Sequence, residues 1–365
     1  MAHPRLVIDL ARIEHNARSV TRLCAERGIG VTGVTKATLG RPGVARAMLR
    51  GGVVSIGESR MENVQRLQAA GVETSYMLLT IPPLSEVEEV VASVDVSLNS
   101  ELAVLAGLSD AARRTGRVHE VIVMVDLGDL REGVWPDDLI PFVREAMKLP
   151  GIRIVGIGSN LTCYGGVVPT EHNMSELARL AGEVERALGR RLAMVSGGNS
   201  SALPLIAAGG MPRRIDHVRI GEAILLGRET VHRTPWPGTF QDAFLLHAEV
   251  VELKEKPSLP IGERSEDAFG RLPTFVDRGD VDRAILNIGR EDVDVEGLTP
   301  LDPAVRVLGA SSDYVILDVS AARPRIRVGD ELTFSLDYSA LLAAMSSRYV
   351  EKCEKHTDPR GEPGA

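Results

Sequence analysis

The sequence is poor in the features that mark secreted, membrane-spanning and nucleic-acid-binding proteins. Its 365 residues include three scattered cysteines (Cys24, Cys163 and Cys353) without a CxxC pair, a usage typical of a reducing cytosol rather than of a disulfide scaffold. No apolar run reaches membrane-spanning length, and the first residues lack the apolar core of a signal peptide. The net charge of −8, with no basic stripe, disfavours a nucleic-acid or acidic-membrane partner. We therefore expect a cytoplasmic protein.

The sequence also lacks GxGxxG after its first strand-like runs, which disfavours a dinucleotide-binding domain. It has instead a long alternation of short apolar strands and amphipathic helices. The predicted strands are 29–36, 53–57, 75–80, 94–98, 120–126, 152–160, 192–196 and 215–219. The predicted helices are 42–50, 58–70, 84–92, 99–115, 137–148, 171–189 and 199–208. Eight parallel strands covered by helices fit a closed (β/α)8 barrel slightly better than a doubly wound sheet.

The pattern changes near residue 235, at Thr234-Pro235-Trp236-Pro237-Gly238. Beyond this point strand-like runs are separated by turn residues, without regular helices until a last one at about Tyr338–Glu354. The sequence thus predicts an α/β protein, a TIM barrel followed by a mainly β C-terminal domain. The predicted ranges are 1–235 for the barrel, 236–354 for the β domain and 355–365 for a disordered tail. A strand at 5–10 is a candidate to pack with the β domain.

Lys36 follows the first barrel strand, in Val34-Thr35-Lys36-Ala37-Thr38. Chemistry in a (β/α)8 barrel collects at the C-terminal strand ends, so we expect this ammonium group in the barrel mouth. A partly desolvated lysine there is the usual partner for a Schiff base with an aldehyde cofactor or carbonyl substrate. A lone lysine at a strand end is more often a solvated surface residue, so the other strand ends decide between these readings.

Polar residues follow later strands as well. Arg131 lies in a Gly-punctuated loop after the fifth strand, placed to bind a carboxylate or phenolate oxygen, although a solvated loop charge explains it equally well. Asn160 ends the sixth strand, where it offers a donor and an acceptor or simply forms a turn.

Glycine-rich segments open helices after the seventh and eighth strands: Gly197-Gly198-Asn199-Ser200-Ser201 and Arg219-Ile220-Gly221-Glu222. Free N–H groups at a helix start bind anions, and barrels commonly hold phosphate after these two strands. An N-cap role for Ser200 explains the serine but not the preceding glycine pair. A phosphate site and an aldehyde-capturing lysine in one barrel mouth predict pyridoxal 5'-phosphate as the cofactor.

With these segments in order, the chain resembles the alanine racemase superfamily of pyridoxal phosphate enzymes, and within it the ornithine racemase branch. The resemblance covers about residues 5–354. It rests on Val34-Thr35-Lys36, Asn160-Leu161-Thr162-Cys163-Tyr164-Gly165-Gly166, Asn199-Ser200, Arg219-Ile220-Gly221-Glu222, Lys256-Pro257-Ser258-Leu259-Pro260-Ile261-Gly262, Asp267-Ala268-Phe269-Gly270 and Gly309-Ala310-Ser311-Ser312-Asp313. It implies a barrel with a β domain, no metal, and a head-to-tail homodimer in which one subunit's β domain closes its partner's barrel.

The resemblance also implies roles for individual residues. Lys36 matches the lysine that forms the Schiff base and then moves the α-proton on one face. Arg219 matches the arginine that faces the pyridine nitrogen, and Arg131 the one near the cofactor phenolate and substrate carboxylate. The expected cofactor-binding residues are Lys36, Asn160, Asn199, Ser200, Arg219, Gly221, Glu222 and the β-domain residue Tyr338.

Two departures leave the second acid–base group open. Alanine racemases have a tyrosine four residues after the lysine, where this chain has Gly40. They also have a catalytic tyrosine in the β domain, and the corresponding segment of this chain, Pro257-Ser258-Leu259-Pro260-Ile261-Gly262, contains no tyrosine. Racemisation needs proton exchange on both faces of Cα. Either Lys36 moves to serve both faces or another group serves the second face, and the candidates for that group are Cys163, Tyr164 and, from a partner subunit, Ser312 and Asp313.

The predicted activity is racemisation of an amino acid. The resemblance to the ornithine racemase branch implies ornithine or a related basic amino acid, and the two departures argue against alanine. A cationic side chain needs an acidic partner, for which the candidates are Glu58, Asp129, Glu132 and Glu222. The alternatives are a racemase of other substrate range, a D-threonine aldolase-like lyase, a decarboxylase of the same fold, a non-catalytic pyridoxal phosphate carrier, and a barrel without cofactor.

Overall fold

The structure is a computed structural model that describes residues 3–356. The chain forms two compact units, one of Leu10–Gln241 and the other of Asp242–His356 together with the residues up to Asp9. Strand β1 (Arg5–Asp9) therefore belongs to the second unit. Of the tail predicted at 355–365, residues 357–365 lie outside the described part of the chain.

The first unit contains the predicted (β/α)8 barrel. Eight parallel strands pair in chain order, and the sheet closes where the last pairs with the first. Their near-continuous apolar sequences reflect burial on both faces, inside the barrel and under the helices. The strands are β2 (Gly30–Val34), β3 (Ser55–Glu58), β4 (Tyr76–Leu78), β5 (Val96–Asn99), β6 (His119–Met124), β7 (Ile152–Gly158), β8 (Met194–Ser196) and β9 (His217–Ile220). We call the residues at and directly after the C-terminal ends of β2–β9 the mouth.

Helices cover the barrel strands. Their bounds are α1 (Leu10–Ala25), α2 (Pro42–Arg50), α3 (Met61–Ala69), α4 (Val87–Ser93), α5 (Leu102–Arg114), α6 (Leu139–Ala146), α7 (Glu171–Leu188), α8 (Leu203–Ala207) and α9 (Glu222–Leu226). Helix α7 shows how local sequence fixes such bounds, since Thr170 and Asn173 form a reciprocal capping box at its start. The predicted helix 199–208 is split into a 3₁₀ turn (Ser200–Ala202) and α8.

The barrel interior has a polar side and an apolar side. An added Cβ at Gly33 would meet Met48 of α2 at 3.0 Å, so Gly33 faces outward and the neighbouring Thr32 points inward. Thr32 shares the polar side with Ser55, whose hydroxyl oxygen lies 2.6 Å from that of Thr32. A buried apolar cluster includes Met77, Leu98, Ile122, Met124 and Val155.

The second unit is built on antiparallel strands. Its further elements are β10 (Phe244–Pro257), β11 (Asp280–Leu286), β12 (Leu298–Pro300), β13 (Arg306–Ala310), β14 (Val315–Asp318), β15 (Glu331–Leu336), α10 (Tyr338–Ser346) and β16 (Glu351–Lys355). The strand order is β12-β15-β10-β11-β14-β13, with β1 antiparallel to β10. Within residues 3–356, no helix is both long and apolar enough to cross a membrane.

The predicted last helix at Tyr338–Glu354 is wrong in its second half. Helix α10 ends at Ser346, and Ser347 turns to extended backbone with φ −65° and ψ 131°. The chain then forms β16, which pairs in parallel with β1 so that Arg5 faces Glu351. The free edge of β1 supplies hydrogen-bond partners that are remote in sequence, and no local periodicity encodes such pairing.

Candidate active site

Lys36 lies at the mouth, one residue beyond the end of β2. It opens a 3₁₀ turn (Lys36–Thr38) and is half-buried. The backbone on both sides is fixed, because Thr35 N–H donates to the carbonyl of Gly57 at 3.2 Å and Thr38 Oγ1 to the carbonyl of Thr35 at 2.9 Å. The ammonium-bearing side chain therefore starts from a rigid position at the mouth.

Gly40 explains structurally why a tyrosine is absent four residues after Lys36. Its φ is +61°, a conformation that glycine adopts at little cost. An added Cβ would lie 2.7 Å from the carbonyl oxygen and 2.8 Å from the Cβ of Asn63 in α3. A larger residue at this position would need α3 to move.

Glu58, at the end of β3, is a fully buried carboxyl group next to this turn. It accepts hydrogen bonds from Thr35 Oγ1, from Asn63 Nδ2 at 3.0 Å and from Ser59 N–H at 3.3 Å. Burial raises the pKa of Glu58, although these donors and the nearby charge of Lys36 act in the opposite direction. These donors anchor the carboxyl group to the residue before Lys36 and to the segment from the end of β3 into α3.

Arg219 is the other cation at this part of the mouth. It lies in β9, directly opposite Thr32 of β2 in the parallel register, and is buried. Its guanidinium donates to Ser196 Oγ and to the carbonyl of Ser159 at 2.8 Å. Burial lowers the pKa of Arg219 to about 10, with Glu132 and Cys163 acting in the opposite direction. Arg219 therefore keeps its charge at neutral pH.

A chain of hydrogen bonds runs from Arg219 into the polar side of the barrel. The Arg219 guanidinium donates to Ser196 Oγ, which is also hydrogen-bonded to His217 Nδ1 at 2.9 Å. The other ring nitrogen of His217, Nε2, is hydrogen-bonded to Thr32 Oγ1 at 2.8 Å. Burial and, as a smaller cause, the charge of Arg219 lower the pKa of His217 to about 3, so the ring is neutral.

Asp129 organises the loops that follow β6 and β7. Its carboxylate is buried and accepts four backbone N–H groups of the second loop at 2.9–3.1 Å, those of Thr162, Cys163, Tyr164 and Val167. Burial alone would raise the pKa of Asp129, but these four donors lower it below its usual value. Asp129 is thus committed to holding the loop that contains Cys163.

Arg131 and Glu132 form a two-pronged ion pair in the loop after β6. Nε and Nη2 of Arg131 each donate to one carboxylate oxygen of Glu132. Burial lowers the pKa of Arg131, but the contact with Glu132 outweighs it and the pKa is raised above its usual value. The guanidinium fork that was expected to bind a substrate carboxylate therefore holds a carboxylate of this chain.

Cys163 is held by two asparagines. Its sulfur accepts from Asn160 Nδ2 at 3.0 Å and from Asn199 Nδ2 at 3.4 Å, and the two amides are joined at 3.0 Å. A negative charge on this sulfur would favour the protonated forms of both Arg131 and Arg219, so the three side chains lie within electrostatic reach. The neighbouring Tyr164 is 76% exposed.

The loops after β8 and β9 have the features of a phosphate site. Ser200 Oγ accepts from the N–H of Ala223 at 3.2 Å, which ties the two loops together. Ser201 Oγ is buried and has no hydrogen-bond partner within residues 3–356, a costly state that a bound anion would relieve. A Cβ at Gly221 would lie 3.2 Å from Val34, so this glycine permits close approach to the end of β2. These residues fit pyridoxal phosphate.

Not every predicted site residue lies in the barrel unit. Tyr338, Ser312 and Asp313 belong to the second unit, where Ser312 Oγ donates to Asp313 Oδ2 at 2.6 Å. Glu222 lies in the barrel unit and accepts from Arg233 at 2.8 Å. Across the described ranges, no group of three or more His, Cys, Asp or Glu side chains has metal-binding geometry.

Sequence reasoning missed the residues that are linked to Arg219 by hydrogen bonds inside the barrel. Ser196, His217 and Thr32 were not expected at the site, although the alternation of His217 with Arg219 in one strand places both on the same face. That spacing was the available signal. The link through Ser196 joins two strands and has no local signature.

The family model of the alanine racemase N-terminal domain matches residues 8–229. The chain is 44% identical over 351 residues to the ornithine racemase of Acetoanaerobium sticklandii, covering 96% of this chain and 99% of that protein. It is likewise 44% identical over 352 residues to the lysine racemase of Thermotoga maritima, covering 96% and 98%.

Among solved structures, the fold matches an alanine racemase from Bartonella henselae with covalently bound pyridoxal phosphate. The TM-score is 0.74 at 18% identity, over 97% of this chain and all of the other, 100%. At this identity the likeness shows the shared fold, a closed parallel barrel joined to an antiparallel β unit.

Proposed function

The chain belongs to the alanine racemase family, and from this premise we propose that it is a pyridoxal phosphate-dependent racemase that interconverts L- and D-ornithine or a closely related basic amino acid. The observation that carries the proposal is the pairing of β2 with β9, which brings Lys36 and Arg219 to adjacent strand ends. The first is the group that bonds an aldehyde, and the second is a fixed cation that keeps its proton. The names of the two full-length relatives support a basic substrate.

The residues that would hold the cofactor follow from the mouth geometry. Lys36 would bond its aldehyde carbon, and Arg219 would face its pyridine nitrogen. Ser200, Ser201 and the backbone of Gly221 and Glu222 would bind the phosphate, with Tyr338 of a β unit as a further contact, while Asn160 and Asn199 line the mouth beside them. When bound, the cofactor supplies delocalisation of the electrons left after the Cα–H bond breaks.

Arg219 supports simple proton return rather than deeper rearrangement. A guanidinium does not release its proton to a ring nitrogen, so the ring stays a poor electron sink. Hydrogen bonds to Ser196 Oγ and to the carbonyl of Ser159 keep the guanidinium in one orientation, and Ser196 is itself held by His217. Arg131 binds the substrate carboxylate and orients Cα between the two proton-transfer groups.

Lys36 Nζ takes or returns the α-proton on one face of Cα. We assign the other face to Cys163 Sγ, which two asparagine amides hold in place and which lies within electrostatic reach of Arg131 and Arg219. In one direction Lys36 accepts the proton and Cys163 donates, and in the other the roles reverse. Tyr164, and Ser312 and Asp313 of a partner subunit, are the competing choices.

The proposal includes a cytoplasmic head-to-tail homodimer. Three cysteines without disulfide bonds support a reducing compartment. The dimer rests on the family resemblance, in which the β domain of one subunit closes the barrel of its partner. Analytical ultracentrifugation of the purified chain checks the dimer, since a monomer would contradict it.

The test is incubation of the cofactor-loaded protein with L- and D-amino acids in D2O, followed by chiral chromatography with mass detection. We expect inverted, α-deuterated ornithine or lysine from the wild type and a loss of at least about 10³-fold in Lys36→Ala. Cys163→Ala should still exchange the α-hydrogen of one enantiomer without inverting it. Wild-type protein that binds cofactor but inverts no amino acid would contradict the proposed function.

A further inference from the structure

Four acidic residues near the mouth were candidates for binding a cationic substrate side chain, and the structure commits three of them elsewhere. Asp129 accepts four backbone N–H groups. Glu58 is 0% exposed and accepts from three donors of the chain. Glu222 is paired with Arg233 at 2.8 Å. Glu132 is the remaining member of this set.

Glu132 differs from the other three because its hydrogen-bond partner within residues 3–356, Arg131, is itself a group expected to bind substrate. Its side chain is 19% exposed, so a ligand has access to it. Both carboxylate oxygens are held by Nε and Nη2 of Arg131, and the charge of Glu132 also acts on Arg219. The carboxylate thus occupies the guanidinium edge that forks onto a carboxylate.

A substrate α-carboxylate must compete with Glu132 for this edge of Arg131. If the substrate carboxylate takes it, Glu132 loses its cation while remaining mostly buried, and an unpaired buried carboxylate is costly. A substrate that carries its own side-chain ammonium group restores the ion pair. A substrate with a neutral side chain does not, so the exchange discriminates by charge.

Resting on the proposed function, we propose that Glu132 determines specificity for basic amino acids by exchanging Arg131 for the side-chain ammonium group of the substrate. The α-carboxylate of the substrate takes the place of Glu132 on Arg131, and the Glu132 carboxylate pairs with the substrate ammonium. Each charge present before binding has a partner after it. Neutral amino acids of the same length leave Glu132 either on Arg131, where it blocks their carboxylate, or unpaired.

The test compares ornithine with norvaline, which has the same carbon skeleton without the terminal ammonium group. Wild type, Glu132→Gln and the control Glu145→Gln, an exposed residue of α6 paired with Lys148, are assayed with both amino acids. We expect Glu132→Gln to lower kcat/KM for ornithine roughly 10- to 100-fold, the range of a lost charge-assisted hydrogen bond, and to leave norvaline unchanged or improved. Glu145→Gln should match the wild type.

Binding measured apart from turnover separates this inference from the proposed function. Calorimetric titration of cofactor-loaded Lys36→Ala, with and without Glu132→Gln, should show that the preference for ornithine over norvaline depends on Glu132. Binding with that preference but without inversion in the wild type would sink the racemase and leave the inference standing. Equal losses of affinity for both ligands would mean that Glu132 only orients Arg131. An unchanged preference for ornithine would mean that another group binds the ammonium. Either result overturns the inference.

Discussion

Buried polar side chains have different hydrogen-bond partners in the interior of the barrel and at its mouth. In the interior, Thr32, Ser55 and His217 are joined in one continuous set of hydrogen bonds, which extends to Ser196 at the end of β8. At the mouth, the hydroxyl of Ser201 and the atoms Ser159 Oγ and Asn99 Oδ1 are buried without a partner within residues 3–356.

This difference distinguishes the frame, the residues that hold the fold together, from the site, the residues that bind a ligand. A polar group that is satisfied by the chain contributes to the fold, while a buried one that is not satisfied costs free energy until a ligand supplies the missing partner. The loop after β6 shows both cases three residues apart. Asp129 has four donors from the chain, whereas Glu132 is held by the guanidinium of Arg131, which a substrate carboxylate also needs.

The largest expected effect on stability comes from a variant at the mouth in which backbone N–H groups lose their hydrogen-bond acceptor. Asp129→Asn replaces one accepting oxygen by a donor, so part of its four N–H partners lose their acceptor. We expect a loss of about 3 kcal/mol in the free energy of unfolding and at least a roughly tenfold loss of racemase activity, because the Cys163 loop is released. Denaturant unfolding and the chiral assay measure the two effects.

Asp137→Asn, on an exposed acidic residue of the same region, is the matched control and should leave both quantities unchanged. If Asp129→Asn behaved like this control, the four hydrogen bonds would not be holding the loop.

A smaller effect is expected from the interior when pH falls. The pKa of His217 is about 3 in the folded chain, against 6.5 for an unperturbed histidine. Below pH 6.5 the unfolded chain binds this proton and the folded chain does not, so stability falls as pH decreases from about 6.5 towards 3. We expect His217→Gln to remove a slope of about 1.4 kcal/mol per pH unit between pH 6 and 4. Unfolding curves at several pH values measure this slope of stability against pH. An unchanged slope in the variant would contradict a neutral His217 in the folded chain.

Much of this architecture was predictable because its signals are local. Short β-branched runs alternating with amphipathic helices predicted the closed barrel, and the position of Lys36 after the first run predicted its place at the mouth. The prediction for the second half of the last helix was wrong because β16 is defined by pairing with β1, which lies at the other end of the chain. Periodicity carries no information about such a partner.

The site was predictable as a set of residues but not as a set of contacts. Arg131 was expected to be available for a substrate, and the adjacent Glu132 is found on its guanidinium. The role of Asp129 depends on amides more than thirty positions later in the sequence, in the loop of Cys163. Which carboxylate is structural and which is accessible follows only from hydrogen-bond partners in three dimensions.

The most direct test of the distinction between frame and site pairs Ser201→Ala with Ser55→Ala. Each variant loses one buried hydroxyl, but of the two only Ser55 has a hydrogen-bond partner among the described residues 3–356, Thr32 at 2.6 Å. We measure the unfolding free energy of the cofactor-free protein and its affinity for pyridoxal phosphate. The account predicts that Ser55→Ala loses about 1 kcal/mol of stability and keeps its affinity, while Ser201→Ala keeps its stability and binds the cofactor roughly fivefold more weakly. The reverse pattern, or equal effects in both variants, would contradict it.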